Sequence, residues 1–315
     1  MDKAQKYMMV CIIIALSGII AACSANVAQQ EIKQKASGKE IVIKGSDTIV
    51  QLVANLAEAY SVNNPSVRLS VTGGGSGTGI AALINGEVEI ADSSRAIKDK
   101  ELKQAEANGI KALEFIIARD MLSVIVNPDN PIDRLTIEQV SRIFKGEITN
   151  WKDVGGNNEK ISLFGRQSTS GTYIYFQEEV VKDDYSPEMR NMEGTQAIVD
   201  ATRQDKSSIG YAGLGYIVDE NGKLLDGIKV VQIAKDGDSE FITPLDASKI
   251  ADYAINRPLF QYVVQKPDAF ASYNFILFEL SKEGQDIVKS SGYDKILEQD
   301  RLQNEKVLGL IAELS

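Results

Sequence analysis

One unit recurs along the chain and limits what it can fold into. A short apolar run leads into a loop of Gly, Ser and Thr, and the loop leads into a segment with apolar residues at helical spacing. Ile41-Val42-Ile43 stops at Gly45-Ser46-Asp47. Residues 48–63 then carry Ile49, Leu52, Val53, Leu56, Ala57 and Tyr60, a helical face that Ser46 or Asp47 is placed to cap and Pro65 ends. Residues 68–72 alternate as a strand, residues 73–79 are glycine-rich, and a helical run resumes at 80–84. Residues 87–91 read as a strand ending in Asp92-Ser93-Ser94-Arg95, before a polar helix at 99–108. Two strand-like runs, 113–118 and 121–126, flank Arg119-Asp120. Strands alternating with helices specify an α/β architecture. In such folds ligands bind beyond the carboxyl ends of the strands, where these polar loops lie.

The second half continues the pattern. Asn127-Pro128-Asp129-Asn130-Pro131 is turn-rich and a candidate crossing between domains. Thr136-Ile137-Glu138-Gln139 has capping-box form, with Leu135 and Val140 placed to staple the helix start and Gly146 to end the helix. A strand at 161–164 enters the loop 165–172, which precedes a helix at 173–181 whose aromatics Tyr173, Tyr175 and Phe176 read as core. A helix at 195–203, a strand at 208–212 and helices at 267–281 and 286–297 complete the chain. Its 315 residues suit about two domains.

Several function classes are excluded by composition. With 34 Lys and Arg against 44 Asp and Glu, the net charge of −10 disfavours nucleic acid. There is no His, which removes imidazole bases, His-dependent triads and His metal ligands. The two Cys, Cys11 and Cys23, cannot build a zinc site. No Gly-Lys-Ser/Thr follows the glycine loop, and neither Gly-x-Ser-x-Gly nor Ser-x-x-Lys occurs, so an enzyme, a cofactor and a metal are not expected.

The first residues are a targeting segment. Lys3 and Lys6 precede an apolar run at 8–22, which falls short of the about 20 residues of a membrane-spanning helix. Ile20-Ala21-Ala22-Cys23 resembles a lipobox. The expectation is a signal peptide at 1–22, lipidation of Cys23 and a polar tether at 23–40, putting the protein outside the cytoplasm at a membrane surface.

Four loops share one chemistry: Gly45-Ser46-Asp47-Thr48, the glycine loop with Ser76, Asp92-Ser93-Ser94-Arg95, and the loop from Arg166 to Thr172. Each offers hydroxyls and backbone N–H groups where a helix begins, and helix starts attract anions. Arginine adds a planar fork suited to tetrahedral oxyanions.

Arg166-Gln167-Ser168-Thr169-Ser170-Gly171-Thr172 resembles the Arg-x-x-x-Ser-Gly-Thr signature of the phosphate-binding proteins of high-affinity phosphate ABC transporters. The stretch from Leu135-Thr136 through Phe144-Lys145-Gly146 to Ile148-Thr149-Asn150-Trp151 is similar to that family's characteristic helix, and Gly45-Ser46-Asp47-Thr48, the glycine loop and Ser208-Ile209-Gly210-Tyr211 follow in order. The resemblance implies a two-lobed periplasmic-binding-protein fold (type II) with the ligand in the cleft. One lobe would hold 41–122 plus 258–315, the other 123–257. Inorganic phosphate would be held by Ser46, Thr48 and the Ile49 amide, by Ser76 and Gly77, by Ser94 and Arg95, and by Arg166, Ser170, Gly171 and Thr172. The implied partners are phosphate and the permease subunits of an ABC importer, with the protein itself a monomer. Another oxyanion, such as sulfate or molybdate, and a phosphate sensor or surface scaffold are the alternatives. Many members carry an Asp where this chain reads Ser93-Ser94-Arg95; that Asp accepts the proton of hydrogen phosphate, which sulfate lacks. Asp47 or Asp92 is expected to supply the acceptor here.

Overall fold

The computed structural model describes residues 40–266 and 269–312, so the signal segment, Cys23 and the tether as far as residue 39 lie outside the described residues, while Glu40, expected to end the tether, opens the first strand. Two five-stranded sheets, each flanked by helices, form the α/β architecture the sequence predicts. In the first sheet the strand order is β2-β1-β3-β12-β4. Its strands are β1 (Glu40–Gly45), β2 (Arg68–Thr72), β3 (Ile90–Ser93), β4 (Ala112–Met121) and β12 (Asn256–Val264). β1 pairs in parallel with β2 and β3, while β12 runs antiparallel to β3 and β4. Helices α1 (Val50–Asn63), α2 (Ser76–Ile84) and α3 (Asp99–Ala107) follow β1, β2 and β3 in turn. Because those three strands are parallel, the three loops leading to the helices share one edge of the sheet.

The second sheet has the order β10-β5-β9-β7-β8. Its strands are β5 (Ser123–Val126), β7 (Ser162–Arg166), β8 (Arg190–Met192), β9 (Ser208–Ala212) and β10 (Lys229–Val230). A small separate pair joins β6 (Arg134–Thr136) to β11 (Gln232–Ala234). Helices α4 (Ile137–Lys145), α5 (Gly171–Phe176) and α6 (Thr195–Gln204) belong to this half. Only Leu122 separates β4 of the first sheet from β5 of the second, and the chain returns through β12. The junction Asn127 to Pro131 is therefore not the crossing: β5 already lies in the second sheet, and the junction is a turn closed by Asn130 N donating to Asn127 O at 3.0 Å. Helices α7 (Phe270–Glu279), α8 (Lys282–Ser290) and α9 (Glu298–Ala312) end the chain. The expected helix at 286–297 straddles a break after Ser290, where Gly292 takes φ +85°. Among the described residues no helix is long and apolar enough to cross a membrane.

Local chemistry accounts for many of these elements. Leu52, Val53, Leu56, Ala57 and Tyr60 of α1 are buried, the face the spacing marks. The capping box forms at α4: Gln139 N donates to Thr136 Oγ1 at 3.2 Å and Thr136 N to Gln139 Oε1 at 2.9 Å. Phe176 stacks on Tyr211 with centroids 4.2 Å apart in the core of the second half. Such an aromatic pair adds about 0.5–1.5 kcal/mol beyond burial.

Beneath the first sheet's loops lies a buried acid pair. Asp92 on β3 and Gln261 on β12 face each other in register, and Gln261 Nε2 donates to Asp92 Oδ1 at 3.0 Å. Glu279 at the end of α7 is also fully buried, and its two oxygens and Asp92 Oδ2 have no hydrogen-bond partner. Burial raises Asp92 from 3.8 to about 7, opposed in part by Gln261. Burial, then the nearby Asp92, raises Glu279 well above the usual range. The fold favours the neutral forms, so their contribution is fully present below the unfolded values and is lost as pH rises. For Asp92 that loss runs from 3.8 to about 7. Glu279→Gln should therefore flatten the fall of urea-unfolding stability between pH 5 and pH 8 and make the variant the more stable protein at pH 8. An unchanged pH profile would contradict this reading of the pair.

Candidate functional site

Four hydroxyls meet where the loops of the two sheets come together. Thr48 follows β1, Ser76 opens α2, Ser94 follows β3, and Thr172 lies in the first turn of α5 after β7. Thr48 Oγ1 is 2.7 Å from Thr172 Oγ1, Ser94 Oγ is 3.3 Å from Thr172 Oγ1, and Ser76 Oγ is 3.2 Å from Ser94 Oγ. The Ser94 amide also donates to Ser76 Oγ at 3.0 Å. All four residues are buried, at 2% exposure or less. Hydroxyls both donate and accept, so such a group can turn its protons toward a shared anion.

Glycine makes this meeting possible. Gly75, with φ +93°, lies so close to the second sheet's loop that a Cβ would stand 2.6 Å from Thr169 O. On Gly171 a Cβ would fall 2.2 Å from Ser76 Oγ and 2.7 Å from Ser94 Oγ. The first amides of a helix have no partner within it, so Gly171 and Thr172 direct theirs out of the start of α5. Ser170 caps that helix, its Oγ accepting from Tyr173 N at 3.3 Å.

Arg166 closes β7 and is 1% exposed. Its Nη1 donates to Thr195 Oγ1 at 2.7 Å, its Nε to Gln167 Oε1 at 3.2 Å and its Nη2 to Asp47 Oδ2 at 2.5 Å. The last bond joins the two sheets' loops by an ion pair. Asp47 Oδ1 accepts from Gly74 N at 2.7 Å. Neither Asp47 nor Ser46 caps α1, contrary to the expectation from sequence; the cap position is Ile49, without a side-chain bond. Tyr216 OH donates to the Asp47 carbonyl and Tyr293 OH to the Thr48 carbonyl. Burial, then the adjacent Asp47, pushes Tyr216 up to about 12.

The expected site residues divide. Thr48, Ser76, Ser94, Gly171 and Thr172 come together, and Asp47 ties Arg166 to the loop that carries Thr48. Arg95 does not join them through its side chain. Its Nη1 and Nη2 grip Glu101 at 2.8 and 2.7 Å, because Glu101 at the third position of α3 attracts the nearest cation. The Gly77 amide is spent on Thr169 O at 3.0 Å, and the Ile49 amide points to Ser46 O at 3.3 Å. Ser46 is buried with its Oγ unpartnered, and its amide donates to Asp92 O at 3.0 Å. Of the two expected acceptors, Asp92 turns to Gln261, whereas Asp47 lies against Arg166.

Sequence reading missed Arg257, Asp120 and Thr195. Arg257 reaches Thr172 Oγ1 at 3.1 Å and the Ser94 carbonyl at 3.0 Å, while pairing with Asp120 at 2.8 Å. The available signal was Arg119-Asp120 set inside a continuous apolar stretch, since charges on a buried strand need partners. Tyr175 is not wholly core: its ring lies 5.2 Å from the Arg257 guanidinium.

Known proteins share this architecture. The PBP superfamily domain matches residues 28–283. The phosphate-binding protein PstS of Pseudomonas aeruginosa is 34% identical over 281 residues, spanning 82% of this chain and 84% of its own length. That of Staphylococcus haemolyticus is 34% identical over 270 residues, spanning 84% of this chain and 82% of its own. Among solved structures, a Clostridium perfringens substrate-binding protein assigned to a phosphate ABC transporter, with bound phosphate, superimposes with a TM-score of 0.71 at 28% identity. It covers 82% of this chain and 100% of its own. An ABC-type phosphate transport receptor from Vibrio cholerae gives 0.65 at 27% identity, covering 81% of this chain and 100% of its own.

Proposed function

The chain belongs to the family of PstS phosphate-binding proteins within the PBP superfamily, and from that premise we propose that it captures inorganic phosphate outside the cytoplasm for an ABC importer. The observation that carries this reading is the buried cluster of Thr48, Ser76, Ser94 and Thr172 hydroxyls drawn from both sheets, with Arg166 tied into the same loops. Such a cluster supplies hydrogen-bond donors to a tetrahedral oxyanion, and Arg166 supplies the charge. The Gly171 and Thr172 amides and the Ser170 cap complete the phosphate's surroundings. Asp47 is the acceptor that recognises the phosphate proton, in place of the Asp common at the position of Ser94. Binding draws the loops of the two sheets together, so recognition and closure are one event.

In this reading residues 41–122 with 258–315 form one lobe and 123–257 the other. The protein works as a monomer, and lipidated Cys23 holds it at the membrane near its permease. Its work is recognition without covalent chemistry.

Phosphate should protect the fold. At a thousand times its dissociation constant a ligand adds about 4 kcal/mol, enough to raise the melting temperature by roughly 6–8 °C in a chain this long. Thermal unfolding with phosphate, against chloride at equal ionic strength, reads this directly. Equal melting temperatures in both salts would sink the proposal.

A further inference from the structure

The two strands by which the chain passes between the sheets carry a charged pair in register. Arg257 on β12 lies opposite Asp120 on β4, and their side chains are 1% and 0% exposed. Arg257 Nε and Nη2 donate to Asp120 Oδ2 at 3.1 and 2.8 Å. The other oxygen, Oδ1, accepts from the Leu214 amide at 3.0 Å. Toward the hydroxyl cluster, Arg257 Nη2 donates to Thr172 Oγ1 at 3.1 Å and Nη1 to the Ser94 carbonyl at 3.0 Å. One side chain thus joins both crossing strands to an anion loop of each sheet. It also lines, with Arg95, Lys98, Tyr175 and Glu178, a cavity of about 580 Å³ beside the cluster.

We propose that Arg257 is a positioning residue for phosphate, acting through Thr172: it fixes the Thr172 hydroxyl as a donor to the anion and ties the loaded site to the crossing strands. The inference rests on the phosphate reading above. A hydroxyl has one proton and two lone pairs, and an arginine only donates. The bond from Arg257 therefore takes a lone pair of Thr172 Oγ1 and leaves its proton for its other neighbours, the Thr48 and Ser94 hydroxyls at 2.7 and 3.3 Å, or for an anion held among them. Asp120 balances the charge of Arg257, so the contribution of the pair is direction rather than net attraction. Ser94 follows β3 of the first sheet, and Thr172 follows β7 of the second. Both bonds from Arg257 exist together only when the two loops meet, so the crossing strands register the closed state.

A double-mutant cycle on the full chain tests this, read by calorimetric titration with inorganic phosphate and by thermal unfolding. Arg257→Lys keeps a cation opposite Asp120 and loses the fork. It should weaken phosphate binding about tenfold or more, as should Thr172→Val. The double variant should bind within about twofold of Thr172→Val alone, because the arginine acts through that hydroxyl. A residue that merely supports the fold would give losses that multiply. Multiplying losses, or Arg257→Lys at parent affinity, overturn the proposal. Should Arg257→Lys fail to fold, Arg257→Gln serves, since the shorter amide keeps a donor opposite Asp120 and loses the second bond to Thr172. A loss that disappears in the Thr172→Val background supports the proposal, and no loss, or one that persists there, overturns it. A parent chain that binds no phosphate overturns the phosphate reading as well, which separates the two failures.

Discussion

Gly171→Ala should bind phosphate about a hundredfold more weakly than the parent chain while unfolding at the same temperature in phosphate-free buffer. The added Cβ would stand 2.2 Å from Ser76 Oγ, 2.7 Å from Ser94 Oγ and 2.8 Å from Ser76 Cβ. Ser76 opens α2 and cannot retreat without moving that helix. Overpacking of this kind costs about 1–3 kcal/mol. The overlap is between loops that belong to different sheets, so opening the cleft relieves it. Within its own helix Gly171 occupies the first position of α5, where alanine is a good helix former. The cost therefore falls on closure and not on folding. Titration calorimetry and thermal unfolding of the one variant separate the two. Parent-like affinity would mean that Gly171 does not face Ser76 in the loaded state.

Arg166→Gln should have the larger effect, a loss of phosphate affinity of about a thousandfold. The guanidinium supplies the charge of the site, and each hydrogen bond to a charged group is worth about 1.5–3 kcal/mol. Glutamine keeps a donor of similar reach but not the charge, and Asp47 then faces the anion without its cation. Like charge beside the ligand adds to the loss. The same titration reads it, and a loss smaller than about tenfold would remove Arg166 from the site's electrostatics.

What could be read from sequence was what is local. The buried face of α1, strands β2 and β9, and the capping box of α4 depend on residues within a few positions of one another, and each is found where its pattern lies. Thr48, Ser76, Ser94 and Thr172 were legible because each hydroxyl lies at a strand-to-helix loop. The strand β12 was not, since Pro258 argues against a strand. The proline is accommodated because β3 pairs only with 260–263, leaving β12 one neighbour at that point. Arg257 stayed hidden for a different reason: its meaning comes from its register with Asp120, 137 residues away. Arg95 misled because a long side chain can reach several partners, and the loop sequence does not reveal that Glu101 takes it. Asp47 looked like a helix cap, and only the approach of the second sheet's loop gives it to Arg166.

Calorimetric titration of the phosphate-stripped protein, first with phosphate and then with sulfate at the same pH, decides whether this site selects phosphate. One phosphate should bind per chain with no heat from sulfate, because the site pairs its donors with the Asp47 acceptor, which repels an anion without a proton. Sulfate binding as tightly as phosphate, or heat from neither anion, would contradict it.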